Sequence, residues 1–272
     1  MLKEEFIEIT GKENGPTSVI LVGVHGNERC GIDAIEQILP SLEIKKGKIF
    51  IGLGNPRATE QNVRFTEENL NRMFKDETLY SDKEKNSYEY KRAEYLKTFF
   101  EKADVLLDIH ASSTPESKPF IICEINAENI YKKLPFDLVV HGFDNVEPGG
   151  TDYYMNKIGK VGICAECGFF EDNNSLEIAK KTITNFLVAR LHIDGEMEQI
   201  PQQFISMKEL YLTKTEKFTL TKQFSDFEKV KINEPIGFDG DKEVRAPYDG
   251  VILFARDRTK IGEEAFLFGV RG

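Results

Sequence analysis

Ser18-Val19-Ile20-Leu21-Val22-Gly23-Val24-His25-Gly26-Asn27-Glu28 decides how this chain is read. Residues 18–23 are aliphatic almost without interruption, the mark of a strand buried on both faces. A turn carrying His and Glu follows. Residues 28–39 then place apolar side chains at 32, 35, 38 and 39, which is helical spacing. The same alternation continues downstream. Strands are predicted at 48–53, 104–109, 120–123, 138–140 and 161–164, and helices at 86–103, 126–133, 151–158 and 174–192. Strands alternating with helices predict an α/β fold with a largely parallel sheet flanked by helices. Residues 76–87 are polar and read as a loop.

The pattern changes at Asp194-Gly195. Beyond it no long helix is predicted. Short strands are expected at 209–213, 217–220, 230–232, 243–246, 250–254 and 265–270, separated by turn pairs such as Asp239-Gly240 and Asp249-Gly250. The expected organisation is an α/β domain over 1–195 and a small all-β domain over 196–272. The whole has 272 residues and a net charge of −10, with 46 acidic against 36 basic side chains. That balance argues against nucleic acid as a partner. No apolar run is long enough to cross a membrane, and the start, MLKEEFIEIT, lacks a signal-peptide apolar stretch. A cytoplasmic protein is expected, with Cys30, Cys123, Cys164 and Cys167 as reduced thiols. A homodimer is left open.

Four groups of residues have the makings of chemistry. His25 and Glu28 stand three apart at the end of a strand, where both side chains reach one side of a turn, and both suit Zn²⁺. The spacing alone is read more readily as a helix start with an acid facing its dipole. Asp108-Ile109-His110 ends the third of these strands, at the edge where open α/β sheets place their sites. His110 is a candidate third ligand, His141 a weaker spare, and His192 a helix-end residue suited to the dipole. Glu166, in Ala165-Glu166-Cys167-Gly168, ends an apolar strand and is a candidate general base. Cys164-x-x-Cys167 is set aside as a redox or metal pair, because it straddles a strand end and not a helix N-terminus. Arg57, Arg64 and Arg72, interleaved with Asn55, Asn69 and Asn71, suit an anionic small molecule; surface ion pairing with Glu60, Glu67 and Glu68 is the plainer alternative.

Taken together, GVHGNE (23–28), NPRA (55–58), Arg64, NLNRMF (69–74), DIHASS (108–113) and AECG (165–168) resemble the succinylglutamate desuccinylase/aspartoacylase family. The resemblance implies a zinc-carboxypeptidase-like α/β domain followed by a small β domain. It implies one Zn²⁺ held by His25, Glu28 and His110, and Glu166 as the residue that activates the attacking water. It assigns Arg64 to polarising the scissile carbonyl, and Asn71 and Arg72 to binding a substrate carboxylate. The implied reaction is hydrolysis of the amide of an N-acyl amino acid or similar small anionic substrate. A metallocarboxypeptidase-like peptidase and a non-catalytic carboxylate-binding module stand as alternatives. Two departures matter: Ala111 stands where the family often has Asn, and no Arg occurs between Arg92 and Arg190, so Lys157 or Lys160 would have to stand in for a family substrate-binding Arg. Residues 245–252 are similar to barrel-sandwich hairpins of biotinyl and lipoyl carriers, but Lys242 lies too close to Pro247 to be an acceptor. The β domain is therefore expected to wall the site.

Overall fold

The computed structural model describes Leu2 and residues 5–115 and 117–272. In chain order the strands of the first part are β1 (Ile7–Thr10), β2 (Glu13–Val22), β3 (Lys46–Leu53), β4 (Val105–Ser112), β5 (Phe120–Cys123), β6 (Leu138–His141) and β7 (Val161–Phe169). The helices are α1 (Cys30–Ile38), α2 (Pro56–Gln61), α3 (Asp82–Asn86), α4 (Tyr88–Phe100), α5 (Glu128–Tyr131), α6 (Phe143–Val146), α7 (Thr151–Lys157) and α8 (Asn174–Ala189). After an irregular stretch come β8 (Gln203–Leu212), β9 (Phe218–Leu220), β10 (Glu228–Val230), β11 (Pro235–Asp239), β12 (Lys242–Arg245), β13 (Gly250–Leu253) and β14 (Glu264–Arg271).

The sheet order is β1-β3-β2-β4-β7-β5-β6-β8-β14-β13-β10, with β12-β11-β9 as a separate antiparallel sheet. The centre, β3-β2-β4-β7, is parallel throughout. This is the expected mixed α/β architecture. Every residue of β4 is buried, which is why it reads as an unbroken apolar run apart from Asp108, His110 and Ser112. Period-two alternation divides the core. Ile20, Val22, Ile49, Ile51, Leu107 and Ile109 pack under α1 and α8 with Ile32, Ile35, Ile183 and Phe186. Val19, Leu21, Phe50 and Leu106 face the opposite way, onto Leu96, Phe100, Phe74 and Met155.

Several expectations need adjusting. Residues 76–87 are not simply a loop. Ser81 caps α3 in a capping box, its hydroxyl accepting from the Glu84 N–H while the Glu84 carboxylate accepts from the Ser81 N–H. β1 and β11 were not expected; β1 is a short strand with no fully buried position, and β11 opens with Pro and contains Gly237. β7 runs on through Glu166 to Phe169 instead of ending near 164. No helix among the described residues is long and apolar enough to cross a membrane.

Candidate metal centre and active site

The site forms where the parallel strands end, as open α/β sheets favour. β2 stops at Val22, and Gly23, at φ +64°, turns the chain in a conformation that costs other residues strain. His25 through Glu28 form a turn closed by the Glu28 N–H donating to the His25 carbonyl, at 3.2 Å. Gly26 is required there: a Cβ would sit 2.0 Å from the Ala58 carbonyl carbon of α2. α1 begins only at Cys30, so His25 and Glu28 lie on the turn ahead of the helix.

Glu28 is the hub. Its Oε1 lies 2.7 Å from His25 Nδ1 and its Oε2 lies 3.0 Å from His110 Nδ1. It also accepts from the Ala111 N–H at 3.1 Å and from Arg64 Nη1 at 2.9 Å. All three side chains are at most 4% exposed, and their ligand-type atoms lie within 4.8 Å of one another. Two imidazole nitrogens and a carboxylate facing each other in a dry pocket are a donor set that suits zinc. Burial pushes the His25 pKa down to about 4, with Arg64 adding to the effect. Burial pulls the other way on Glu28, but the two histidines outweigh it and hold its carboxyl well below the usual range. The outer bonds also fit a metal site. His25 Nε2 lies 3.1 Å from Asn69 Oδ1. His110 Nε2 lies 3.0 Å from Asp108 Oδ2, which accepts from the Thr151 hydroxyl at 2.6 Å. A partner such as Asn69 fixes the tautomer and orientation of a ligating histidine, whereas His110 Nε2 lies close to Asp108 without a hydrogen bond to it. Asn69 was noted in the sequence only as one of a group of Asn residues; its spacing carries no sign of this role.

Glu166 stands opposite His110 across the β4–β7 ladder. The register slips just beyond, between His110 and Ser112, where Gly168 has φ +99°. A bulge of this kind re-aims side chains beside a site. Glu166 is 8% exposed and its Oε2 has no hydrogen-bond partner. Burial pushes its pKa up to about 8, against the pull of His110. Cys164 and Cys167 pack into different cores, on opposite faces of β7, and both are free thiols. Cys164 reaches the pocket beside His110 and Glu166, but burial raises its pKa, which keeps it a neutral thiol.

These groups line a cleft of about 870 Å³, walled on the far side by residues from β8, β14 and the segment before β14. Asn71 lines it with its Oδ1 accepting from the Thr151 N–H. Arg72 also lines it, but its fork is already engaged. Nε and Nη2 donate to Glu264 at 2.8 and 2.9 Å, Nη2 also pairs with Glu147 at 2.5 Å, and Nη1 donates to the Asn71 carbonyl. Arg72 pushes the Glu264 carboxyl down to about 2 although burial opposes it. A substrate carboxylate would therefore compete with Glu264 or Glu147 for Arg72. Arg57 lies outside the cleft, paired with Glu67 and over the Tyr88 ring, as the plainer reading allowed. Lys157 and Lys160 cannot replace a missing Arg: the first is paired with Asp76 and the second donates to the carbonyls of Phe100 and Glu101. His141 hydrogen-bonds the Cys123 carbonyl and stacks on Phe204, away from the donor set. His192 is not a cation at a helix end but a buried ring bonded to Lys46 O and Ser18 Oγ.

The chain is similar over most of its length to known proteins. It is 25% identical to succinylglutamate desuccinylase of Idiomarina loihiensis, covering 97% of this chain and 86% of that protein. Over 110 residues it is 34% identical to aspartoacylase of Xenopus tropicalis, spanning about a third of each, 35% of this chain and 34% of that protein. In fold it matches the X-ray structure of the succinylglutamate desuccinylase of Vibrio parahaemolyticus, with a TM-score of 0.80 at 19% identity, covering 98% of this chain and 86% of that one. The product-bound ectoine utilization protein EutE (DoeB) of Ruegeria pomeroyi matches with a TM-score of 0.75 at 21% identity, covering 97% and 88%. The succinylglutamate desuccinylase/aspartoacylase catalytic-domain model matches residues 14–191. The motifs from GVHGNE to AECG all fall inside that stretch, and the chain belongs to the succinylglutamate desuccinylase/aspartoacylase family of hydrolases.

Proposed function

We propose that the protein is a zinc-dependent hydrolase that cleaves the amide bond of an N-acyl amino acid or a similar small carboxylated amide. The observation that carries this reading is the buried trio His25, Glu28 and His110 with the unpartnered Glu166 Oε2 beside it. His25 Nδ1, a Glu28 oxygen and His110 Nδ1 would hold the metal. When bound, zinc supplies a Lewis acid that polarises a carbonyl and acidifies a water.

The protein's own groups supply the rest. Glu166 takes the proton of the attacking water through its free oxygen, then delivers it to the leaving amine. Its raised pKa suits both duties, since a base that must later be an acid works best near neutrality. Arg64 is half-exposed at the cleft and only singly tied to Glu28, so its remaining N–H groups are available to the oxyanion. Asn71 Nδ2 and Arg72 orient a substrate carboxylate, Arg72 by exchanging one of its present partners. The desuccinylase and aspartoacylase relatives support the reaction class.

Two measurements test the reading together. Metal analysis should find one zinc per chain, most of it lost in His110→Ala. A panel of N-acetyl and N-succinyl derivatives of Asp, Glu and neutral amino acids should contain a substrate. A zinc-loaded protein that cleaves none of them would count against the small-amide reading and favour a peptidase.

A further inference from the structure

Among the arginines of the cleft, Arg256 differs from the rest. Arg64 is tied to Glu28, Arg72 to Glu264 and Glu147, and Arg258 Nε donates to the Glu264 carbonyl at 2.6 Å. The Arg256 guanidinium lines the same cleft, yet it has no hydrogen bond and no ion pair among the described residues. It is partly buried, and burial lowers its pKa, with Arg64 and Arg258 pushing the same way and Asp226 and Glu166 opposing. An unpaired guanidinium among other cations in a partly desolvated cleft is poorly compensated until an anion joins it.

The backbone that carries it is firmly held. β13 ends at Leu253, and Phe254 adopts φ +54°, a left-handed conformation uncommon for a large side chain. The Phe254 N–H donates to Asp226 Oδ1 at 3.0 Å, and Asp226 Oδ2 accepts from the Ser117 hydroxyl at 2.7 Å, on the segment after β4. Beyond the turn, the Arg256 N–H donates to the Ala265 carbonyl and residue 258 pairs with Phe218 in both directions. Backbone strain at a site wall, held by bonds that reach across to the α/β part, is a feature of segments that aim a side chain.

We propose that Arg256 is a further substrate-anchoring residue of the cleft, binding a carboxylate of the small amide through its planar fork beside the contacts of Asn71 and Arg72. This rests on the proposed hydrolase reading and deepens it. No arginine occurs between Arg92 and Arg190, and Arg72 is already engaged, so Arg256 supplies the open fork from a distant part of the chain. Arg is suited to that task because its fork matches a carboxylate bidentately.

The test uses the full-length, zinc-loaded protein with Arg256→Ala, Arg256→Gln and Arg256→Lys. For a cleaved N-acyl amino acid, Arg256→Ala and Arg256→Gln should raise KM about 10²-fold with a much smaller change in kcat, and Arg256→Lys should recover part of the loss. For the carboxamide of the same substrate, KM should not respond to these changes. Calorimetry supplies a reading free of turnover: N-acetylaspartate and N-succinylglutamate titrated into Glu166→Gln and into Glu166→Gln with Arg256→Gln should differ about 10²-fold in Kd. Equal affinities, an equal loss for the carboxamide, or no binding of either carboxylate to Glu166→Gln would overturn the proposal. Binding that depends on Arg256 without hydrolysis of any panel member would uphold it while removing the hydrolase reading.

Discussion

At the scale of single residues, the side chains that touch the proposed chemistry differ in how visibly the sequence announces them. His25, Glu28, His110 and Glu166 stand at or near strand ends, and a run of aliphatic residues makes a buried His or Glu conspicuous. The structure brings the first three within 4.8 Å. The partners that limit Arg72 could not be read the same way. Glu264 lies 192 positions away from it, and no local periodicity connects them. Arg256 was hidden for the same reason: among 36 basic residues it is unremarkable until the fold shows which of them lack a partner. The decisive single-residue test concerns Glu166. Glu166→Gln keeps size and shape but has no proton-accepting oxygen of comparable basicity. Zinc content and melting temperature should hold, while turnover should fall about 10²–10⁴-fold, the usual range for a general base. Turnover within about threefold of the parent would move the base role to another group.

At the scale of elements, the strands of the parallel centre were legible because each is aliphatic and bounded by turn residues. The elements that escaped notice have little apolar content, such as β1, or break the pattern with Pro and Gly, such as β11. The junction of β2, β3 and the end of α8 shows how an element boundary can bear a charge-state constraint. The His192 ring is fully buried, with Nδ1 2.9 Å from the Lys46 carbonyl and Nε2 2.8 Å from Ser18 Oγ. A carbonyl can only accept, so Nδ1 carries a proton; Ser18 Oγ already accepts from Arg190 Nε at 3.3 Å, which leaves its hydroxyl proton to donate to Nε2, in keeping with the burial that disfavours a charged ring. The ring is therefore neutral in the fold. Burial lowers its pKa below 6.5 despite the bond to the Lys46 carbonyl. The folded state then binds fewer protons than the unfolded state as pH falls through the unfolded value. The stabilisation is complete above about 6.5 and is lost progressively below it. Denaturant midpoints between pH 7.5 and 5.5 should fall more steeply for the parent than for His192→Gln, which cannot take up the proton. Parallel slopes would mean that His192 titrates alike in both states.

At the scale of the whole molecule, the change in pattern near residue 195 is real as a change in element type, since β-strands alone follow it among the regular elements, yet the hydrogen bonding does not stop there. β6 pairs with β8 from Leu138↔Gln203 to His141↔Ser206, so one sheet passes from the first part into the second. A single apolar cluster joins Phe120, Ile122, Leu138 and Val140 to Ile205, Met207, Val251, Leu253 and Leu267. The Arg72–Glu264 pair and the Asp226–Ser117 bond cross the same boundary beside the cleft. Segments that share a ladder, a core and the walls of a site should unfold together. Phe120 is the place to test this, being fully buried on β5 with its ring 4.8 Å, centroid to centroid, from that of Phe227. Phe120→Ala should cost about 3–5 kcal/mol, the range for a buried aromatic truncated to Ala. If the molecule is one cooperative unit, the most protected amides of β2 and β4 and those of β13 and β14 should lose protection by the same free energy in native-state hydrogen exchange. Loss confined to β2 and β4, with β13 and β14 unchanged, would show that residues 196–272 unfold independently of the α/β part that carries Phe120, in spite of the shared ladder.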